Sequence, residues 1–185
     1  MKAPDHDSAP ETGEWTSSST PYLRPQQPGE PDAWTQESAG RGTQRLTEAG
    51  QVTPPAAIRD ALGLKDGEAA IIRRRVISLD GSPVELADSY YPERVAAGTA
   101  LAGKAKIKGG APTLLASLGY TATRVVEDIE ARGATASESD ALGIRTGEPV
   151  LTLLRTSFSA NGVPFEAALM VMRGPHRMRY EMRVD

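Results

Sequence analysis

An α+β fold, with five or more antiparallel strands and short helices between them, is what this sequence predicts, and three features predict it. The first is internal repetition. Residues 60–91, DALGLKDGEAAIIRRRVISLDGSPVELADSYY, and residues 140–172, DALGIRTGEPVLTLLRTSFSANGVPFEAALMVM, share one grammar: a helix ending at Ala-Leu-Gly, a Gly-Glu turn, a strand, a Gly turn and a second strand. Asp140 stands 80 residues after Asp60, and Pro164 stands 81 after Pro83, so the second copy has one extra turn residue. The second feature is the pair of turn dipeptides, Asp80-Gly81 and Asn161-Gly162, whose residues tolerate the positive φ of tight hairpins. The third is that every helical stretch is short and bounded by caps and glycines. Two related helix-plus-hairpin units point to a pseudo-twofold sheet core.

In chain order, residues 1 to about 31 are rich in Pro, Ser, Thr, Gly and acidic residues, a composition that cannot offset its ordering entropy by burial. A mobile lead is expected over 1–14. Residues 15–31 are expected to form a loosely docked extension, because Trp15 and Pro21-Tyr22-Leu23 are large apolar groups that could settle on the domain over 32–185. Asp32 or Thr35 caps a short helix that ends near Gly40-Arg41-Gly42. Gln44–Val52 has weak strand character. Thr53-Pro54-Pro55 reads as a cap followed by prolines at the first helical positions, opening a helix that Gly63 stops. Ala69–Leu79 and Pro83–Tyr91 form the first hairpin, and Glu93–Ala102 reads as an irregular link. Lys104, Lys106 and Lys108 alternate along what would be a solvated strand edge. Pro112 sits just inside a helix over Thr113–Leu118, ended by Gly119. Thr121–Ala131 alternates in strand fashion. Thr135 and Glu138 make a capping box for the second Ala-Leu-Gly helix. Val150–Ser159 and Pro164–Met172 form the second hairpin, and a last strand is expected near Met178–Met182.

Bulk properties narrow the function. The net charge of −3 argues against a dedicated nucleic-acid binder, which usually has a basic excess. The chain has no cysteine and two histidines, so thiolate chemistry is excluded and imidazole chemistry is thinly supplied. Neither a secretion signal nor an apolar run of membrane-spanning length is visible, which makes a cytoplasmic protein without a membrane partner the expectation. No enzyme signature, cofactor motif or spaced metal-ligand set is present.

The repeat singles out the candidate site. Its register matches Arg75 with Arg155 and Glu85 with Glu166, an Arg on each first strand and a Glu on each second. Alternate strand residues share a face, so Arg73, Arg75 and Ile77 oppose Arg74 and Val76. Glu166, Ala168, Met170 and Met172 oppose the wholly apolar Phe165, Ala167, Leu169 and Val171. One charge among small and flexible apolar groups is how a ligand cavity looks; cross-strand ion pairs on a solvated face are the plainer reading of the same charges. Thr113 and free backbone N–H groups after Gly109-Gly110 could hold an anion, or form an ordinary turn and cap. Met170 and Met172 could line the cavity or simply pack.

The segments DALGLKDGE, VELADSYYP, ATASESDALGIRTGEPVL, LLRTSFSANGVPFE and the final MRYEM resemble the effector-binding (UTRA) domain of GntR-type transcriptional regulators of the HutC subfamily, from about Trp34 to the C-terminus. The resemblance implies a chorismate-lyase-like fold, a curved antiparallel sheet of about six strands with short helices packed on it. It further implies a pocket for a small, often anionic metabolite, and homodimerisation. The family's phosphate-gripping Arg falls on Arg75, its second-hairpin Glu on Glu166, and its hydroxyls on Thr113 and Thr35. A second family Arg falls on Ile77, a pocket Glu on Ala87 and a pocket Tyr on Met172, which favours a less charged, more apolar effector. With Glu85 and Arg155, these make up the candidate ligand set, for an effector with an anionic or carbonyl group and without cofactor or metal. Nothing in residues 1–40 has the periodicity of the family's winged helix-turn-helix, so DNA contact would need a domain not present in this chain, and a heterodimer with full-length relatives is a further expected partnership. A chorismate-lyase-like enzyme and a ligand-free dimerisation module are the alternative functions.

Overall fold

The computed structural model of the chain describes residues 15–26, 30 and 32–181. The expected mobile lead over 1–14, parts of the expected extension (27–29 and 31) and Met182 lie outside the described residues.

The elements follow the repeat. After β1 (Trp15–Ser17), a 3-10 turn over Thr20–Leu23 and α1 (Ala33–Glu37), the first unit comprises β2 (Gly42–Val52), α2 (Ala56–Leu62), β3 (Ala70–Leu79) and β4 (Ser82–Pro92). A link follows with α3 (Glu93–Ala96), a 3-10 turn over Ala100–Ala102 and α4 (Gly110–Ser117). The second unit comprises β5 (Arg124–Gly133), α5 (Ala136–Leu142), β6 (Pro149–Phe158) and β7 (Pro164–Arg173), and β8 (His176–Met178) ends the regular structure. Six strands form one antiparallel sheet in the order β2-β3-β4-β7-β6-β5. The two units thus meet through β4 and β7, with a pseudo-twofold axis between them.

The repeat extends to backbone detail. Gly63 and Gly143 end α2 and α5 in the left-handed conformation, at φ 62° and 68°, which only glycine adopts without a Cβ penalty. The hairpins carry register shifts at Ile77/Ser78 and at Ser157/Phe158, again 80 residues apart. Both turns close by the same device, with the N–H of Lys65 donating to the Glu68 carboxylate and that of Arg145 donating to Glu148.

Each face of the sheet has its own cover. On one face Ile58 and Leu62 of α2 bury against Ile72, Tyr90 and Ala167, and Leu142 of α5 buries against Val150 and Val171. The other face is split. Trp34 and the half-buried Tyr22 cover Ile77, Ala87, Leu153, Ala168, Met170 and Met172 at one end. At the other end α3 and α4 cover Ile71, Tyr91 and Phe165.

Several local expectations need correction. The N-cap of α2 is Pro55, which offers no side-chain hydrogen bond, so Thr53 does not cap it. The link after Pro92 contains a helical turn at each end rather than irregular chain. The helix α4 starts at Gly110, before Pro112. Lys104, Lys106 and Lys108 are exposed on a loop, not on a strand edge; that loop is held from below by buried Arg73, which donates to the carbonyls of Ala100, Leu101, Gly103 and Ala105. The last strand starts at His176 and leaves the main sheet to pair in parallel with β1.

The capping box of α5 forms as expected, with Glu138 also accepting two hydrogen bonds from Arg132, at 2.8 and 2.7 Å. Arg132, with the Thr135 backbone and hydroxyl, holds the Glu138 carboxyl down to about 2, against an ordinary value of 4.5. A carboxyl lowered in the folded state stabilises the fold above its unfolded value and loses that stabilisation as pH falls toward its folded value. Glu138→Gln is therefore expected to melt below the wild type at neutral pH, and the gap should narrow between pH 4.5 and 2 in thermal melts.

Candidate functional site

The face covered by Trp34 and Tyr22 is not filled. A cavity of about 630 Å3, its open mouth included, lies between the sheet and its cover. Its floor comes from the four central strands: Arg75 and Ile77 of β3, Glu85 and Ala87 of β4, Ala168, Met170 and Met172 of β7, Leu153 and Arg155 of β6. Its roof is formed by Ser18, Ser19, Tyr22, Trp34 and Met178, with Gln44 of β2 at the side.

Register explains why these side chains converge. Arg75 lies opposite Ala87, and Arg155 opposite Ala168. Arg75 and Arg155 therefore stand on strands three spacings apart, about 14 Å across the sheet. They are also one same-face step out of line, since Ala87 lies opposite Met170 and Ala168 opposite Ser89, and the small methyl group beside each arginine leaves room for its long side chain to lean inward. Glu85 stands one same-face step along from Ala87, opposite Ile77 on one side and Met172 on the other.

The cavity's charges do not neutralise one another. Arg155 is 8% exposed, forms no ion pair within 4.0 Å among the described residues, and its Nε is buried without a partner. Arg75 donates to Ser89 Oγ at 3.0 Å and, at 3.5 Å, to Gln44, yet its Nε is also buried without a partner. Among the described residues neither meets a carboxylate in an ion pair. A buried cation such as Arg155 without a close counter-ion costs several kcal/mol (roughly) relative to a paired one, which is unusual in a merely structural wall; Arg75 is half-buried. Burial pushes the Glu85 carboxyl up to about 7, against the pull of Arg75 and then Arg155, with Glu37 adding a smaller push.

Five of the eight candidate residues, Arg75, Glu85, Arg155, Met170 and Met172, thus stand on one cavity wall. The other three stand elsewhere. Glu166 shares the sheet face but lies toward its other end, where it accepts a hydrogen bond from the Tyr91 hydroxyl at 3.0 Å and lines a separate, smaller hollow under α4. The expected single hollow shared by Arg75 and Glu166 is therefore corrected to two, with Tyr22 on the boundary of both. Thr113 is occupied structurally: its hydroxyl donates to the Gly109 carbonyl and accepts from the Gln26 N–H at 3.0 Å. Thr35 donates its hydroxyl and its backbone N–H to Asp32, the cap of α1. The expected cross-strand ion pairs of Arg75 with Glu85 and of Arg155 with Glu166 do not form. Arg74 on the opposite face does pair, with Glu48 and Asp88.

No signal in the sequence places Trp34, Gln44, Leu153 or Met178 on the cavity they line. Tyr22 stands out in the sequence only as a large apolar group expected to settle on the domain. Trp34 is 2% exposed, and Gly42 makes room for it: a Cβ at Gly42 would overlap the Trp34 indole and crowd Ser38 Oγ. Gly42→Ala is expected to cost about 1–3 kcal/mol through overpacking and to shift the tryptophan emission as the roof is displaced, measured by denaturant melts followed by fluorescence.

Among the described residues no helix is long and apolar enough to cross a membrane, and no cluster of three metal-ligating side chains occurs.

Comparison with known proteins gives a consistent picture. The sequence model of the UTRA domain matches residues 38–176. The HTH-type transcriptional regulator Rv0792c of Mycobacterium tuberculosis is 33% identical over 130 residues, covering 69% of this chain and 47% of that protein. Among solved structures, one described as a GntR-family transcriptional regulator superposes with a TM-score of 0.76 at 26% identity, covering 95% of this chain and 71% of that one. The ligand-binding domain of a GntR-family regulator from Bordetella bronchiseptica superposes with a TM-score of 0.64 at 26% identity, covering 87% and 94%. The chain spans about half the length of the curated relatives it matches.

Proposed function

Since the chain belongs to the UTRA family, matched over residues 38–176, we propose that it is the effector-sensing domain of a GntR-type regulator of the HutC subfamily, taking a small molecule with an anionic or carbonyl group. The observation that supports this best is the pair of guanidinium groups, Arg75 and Arg155, facing one cavity with no ion pair to a carboxylate among the described residues. Together they suit a single anionic group, which each can grip through planar N–H donors. Leu153, Met170, Met172 and Trp34 supply an apolar wall, and flexible methionines adapt to a ligand's shape. Glu166, Thr113 and Thr35 drop out of the ligand set, because the fold uses their polar groups.

The proteins it resembles are described as transcriptional regulators, and this supports a sensor rather than an enzyme, working in the cytoplasm, as a homodimer, on DNA through a winged-helix domain outside this chain. Signalling would be a population shift. A ligand held by Arg75 and Arg155 below would also touch Ser18, Ser19 and Tyr22 above. It would thereby favour one placement of the segment that leads toward residue 15.

A thermal-shift screen of metabolites tests the reading. A true effector at one hundred times its dissociation constant adds about 2.7 kcal/mol of stability, and Arg75→Ala should remove the shift. An empty screen over anionic and carbonyl metabolites, or hits indifferent to Arg75→Ala, would reject it.

A further inference from the structure

The third charged group of the cavity points to what the effector carries besides an anion. Glu85 accepts no hydrogen bond among the described residues and pairs with neither arginine within 4.0 Å, although it shares their cavity. Two cations and one acid therefore line a largely apolar hollow: Arg75 stands opposite Ala87, one same-face step from Glu85, and Arg155 stands opposite Ala168, two strands from Glu85. A neutral ligand would leave the two cations with only Glu85 to offset them. A simple anion would satisfy the arginines while withdrawing their field from Glu85. A ligand with both an anionic end and a cationic donor satisfies all three.

We propose that the cavity takes an apolar amino carboxylate, its carboxylate between Arg75 and Arg155, its ammonium on Glu85, and its side chain along Leu153, Met170, Met172 and Trp34. This rests on the effector-sensing reading and narrows it. Glu85 becomes the residue that selects the amine. The groups facing it are Arg75 from β3, Arg155 from β6, Glu37 from α1 and the Tyr22 hydroxyl, which itself donates to Glu37 at 2.9 Å.

The sign of the pH dependence separates this ligand from a plain anion. The Glu85 carboxyl titrates at about 7 in the unliganded cavity. An ammonium binds the ionised form, so ligand affinity rises with pH through that value and binding releases a proton. A plain carboxylate competes with the ionised form, so its affinity falls over the same interval and binding takes up a proton. Between pH 6 and pH 8 the ionised fraction rises about tenfold, and that is the limiting change in affinity expected.

The test is isothermal titration of the protein at pH 6, 7 and 8 with leucine and phenylalanine, with their deaminated counterparts 4-methylpentanoate and 3-phenylpropionate, and with 2-phenylethylamine. The expected result is that an amino acid binds more tightly than its deaminated acid and several-fold more tightly at pH 8 than at pH 6. Glu85→Gln should flatten the pH profile and reverse the preference. Titration of the unsubstituted protein in two buffers of different ionisation enthalpy gives the proton count directly, whatever the stability of the variant. A deaminated acid that binds as tightly as its amino acid, with affinity falling as pH rises, would overturn the ammonium site and leave the sensor reading standing. No binding by any probe would overturn the ligand class, while the metabolite screen judges the sensor reading separately.

Discussion

Arg155→Met is expected to weaken effector binding about 30-fold or more while leaving the melting temperature unchanged or higher. Two opposed consequences of one buried cation produce this result. Arg155 is 8% exposed with its Nε unpaired, so in the empty protein the desolvation of its charge is offset only by carboxylates beyond ion-pair distance, Glu85 among them. Methionine has similar length and no charge, and replacing buried charged groups by apolar ones of similar volume is often neutral or stabilising. With an anion bound, the same guanidinium forms a desolvated charge pair, and truncating one partner of such a pair costs about 2–5 kcal/mol. Calorimetry on the best hit of the metabolite screen reads the affinity, and circular dichroism melts read the stability. A variant that binds normally but unfolds early would make Arg155 a structural ion.

Phe165→Ala is expected to have the largest effect on stability, about 3–5 kcal/mol. The reason differs from the one that sheet alternation suggests. The register shift at Ser157/Phe158 interrupts the pairing at the start of β7, and the Phe165 ring, 3% exposed, packs with Ile71, Tyr91 and Leu115 rather than with the residues around Ala167 and Val171. Its centroid lies 5.7 Å from that of Tyr120. The cavity left by truncation would open into the hollow beside Glu166, under α4. Urea melts of the variant check the figure, and a cost below about 1 kcal/mol would mean that α4 collapses into the space or never seals it.

These two residues illustrate what could be read from sequence. The repeat was legible because its signals are local: a glycine at the end of α2 and of α5, a Gly-Glu turn after each, and a hairpin dipeptide in each unit. Local signals also placed Arg75 and Arg155 at matching register positions. What failed was anything decided by distant chain. Glu166 matches Glu85 in the repeat, yet Tyr91, 75 residues away, claims it. Thr113 looks like an anion ligand until Gln26, 87 residues away, donates to it. The roof, which includes Tyr22, Trp34 and Met178, comes from both ends of the chain and has no periodicity of its own. The twofold repeat is thus kept in backbone and core but broken at its charges, because different covers fall on the two ends of one sheet face.

The measurement closest to the central claim is native mass spectrometry of the protein purified from its own host, beside the Arg75→Ala/Arg155→Ala variant. A small-molecule adduct of defined mass on the unsubstituted protein, absent from the double variant, is the predicted result. An adduct retained equally by both proteins would contradict the claim, since the ligand would then be held without the two arginines on which the account rests.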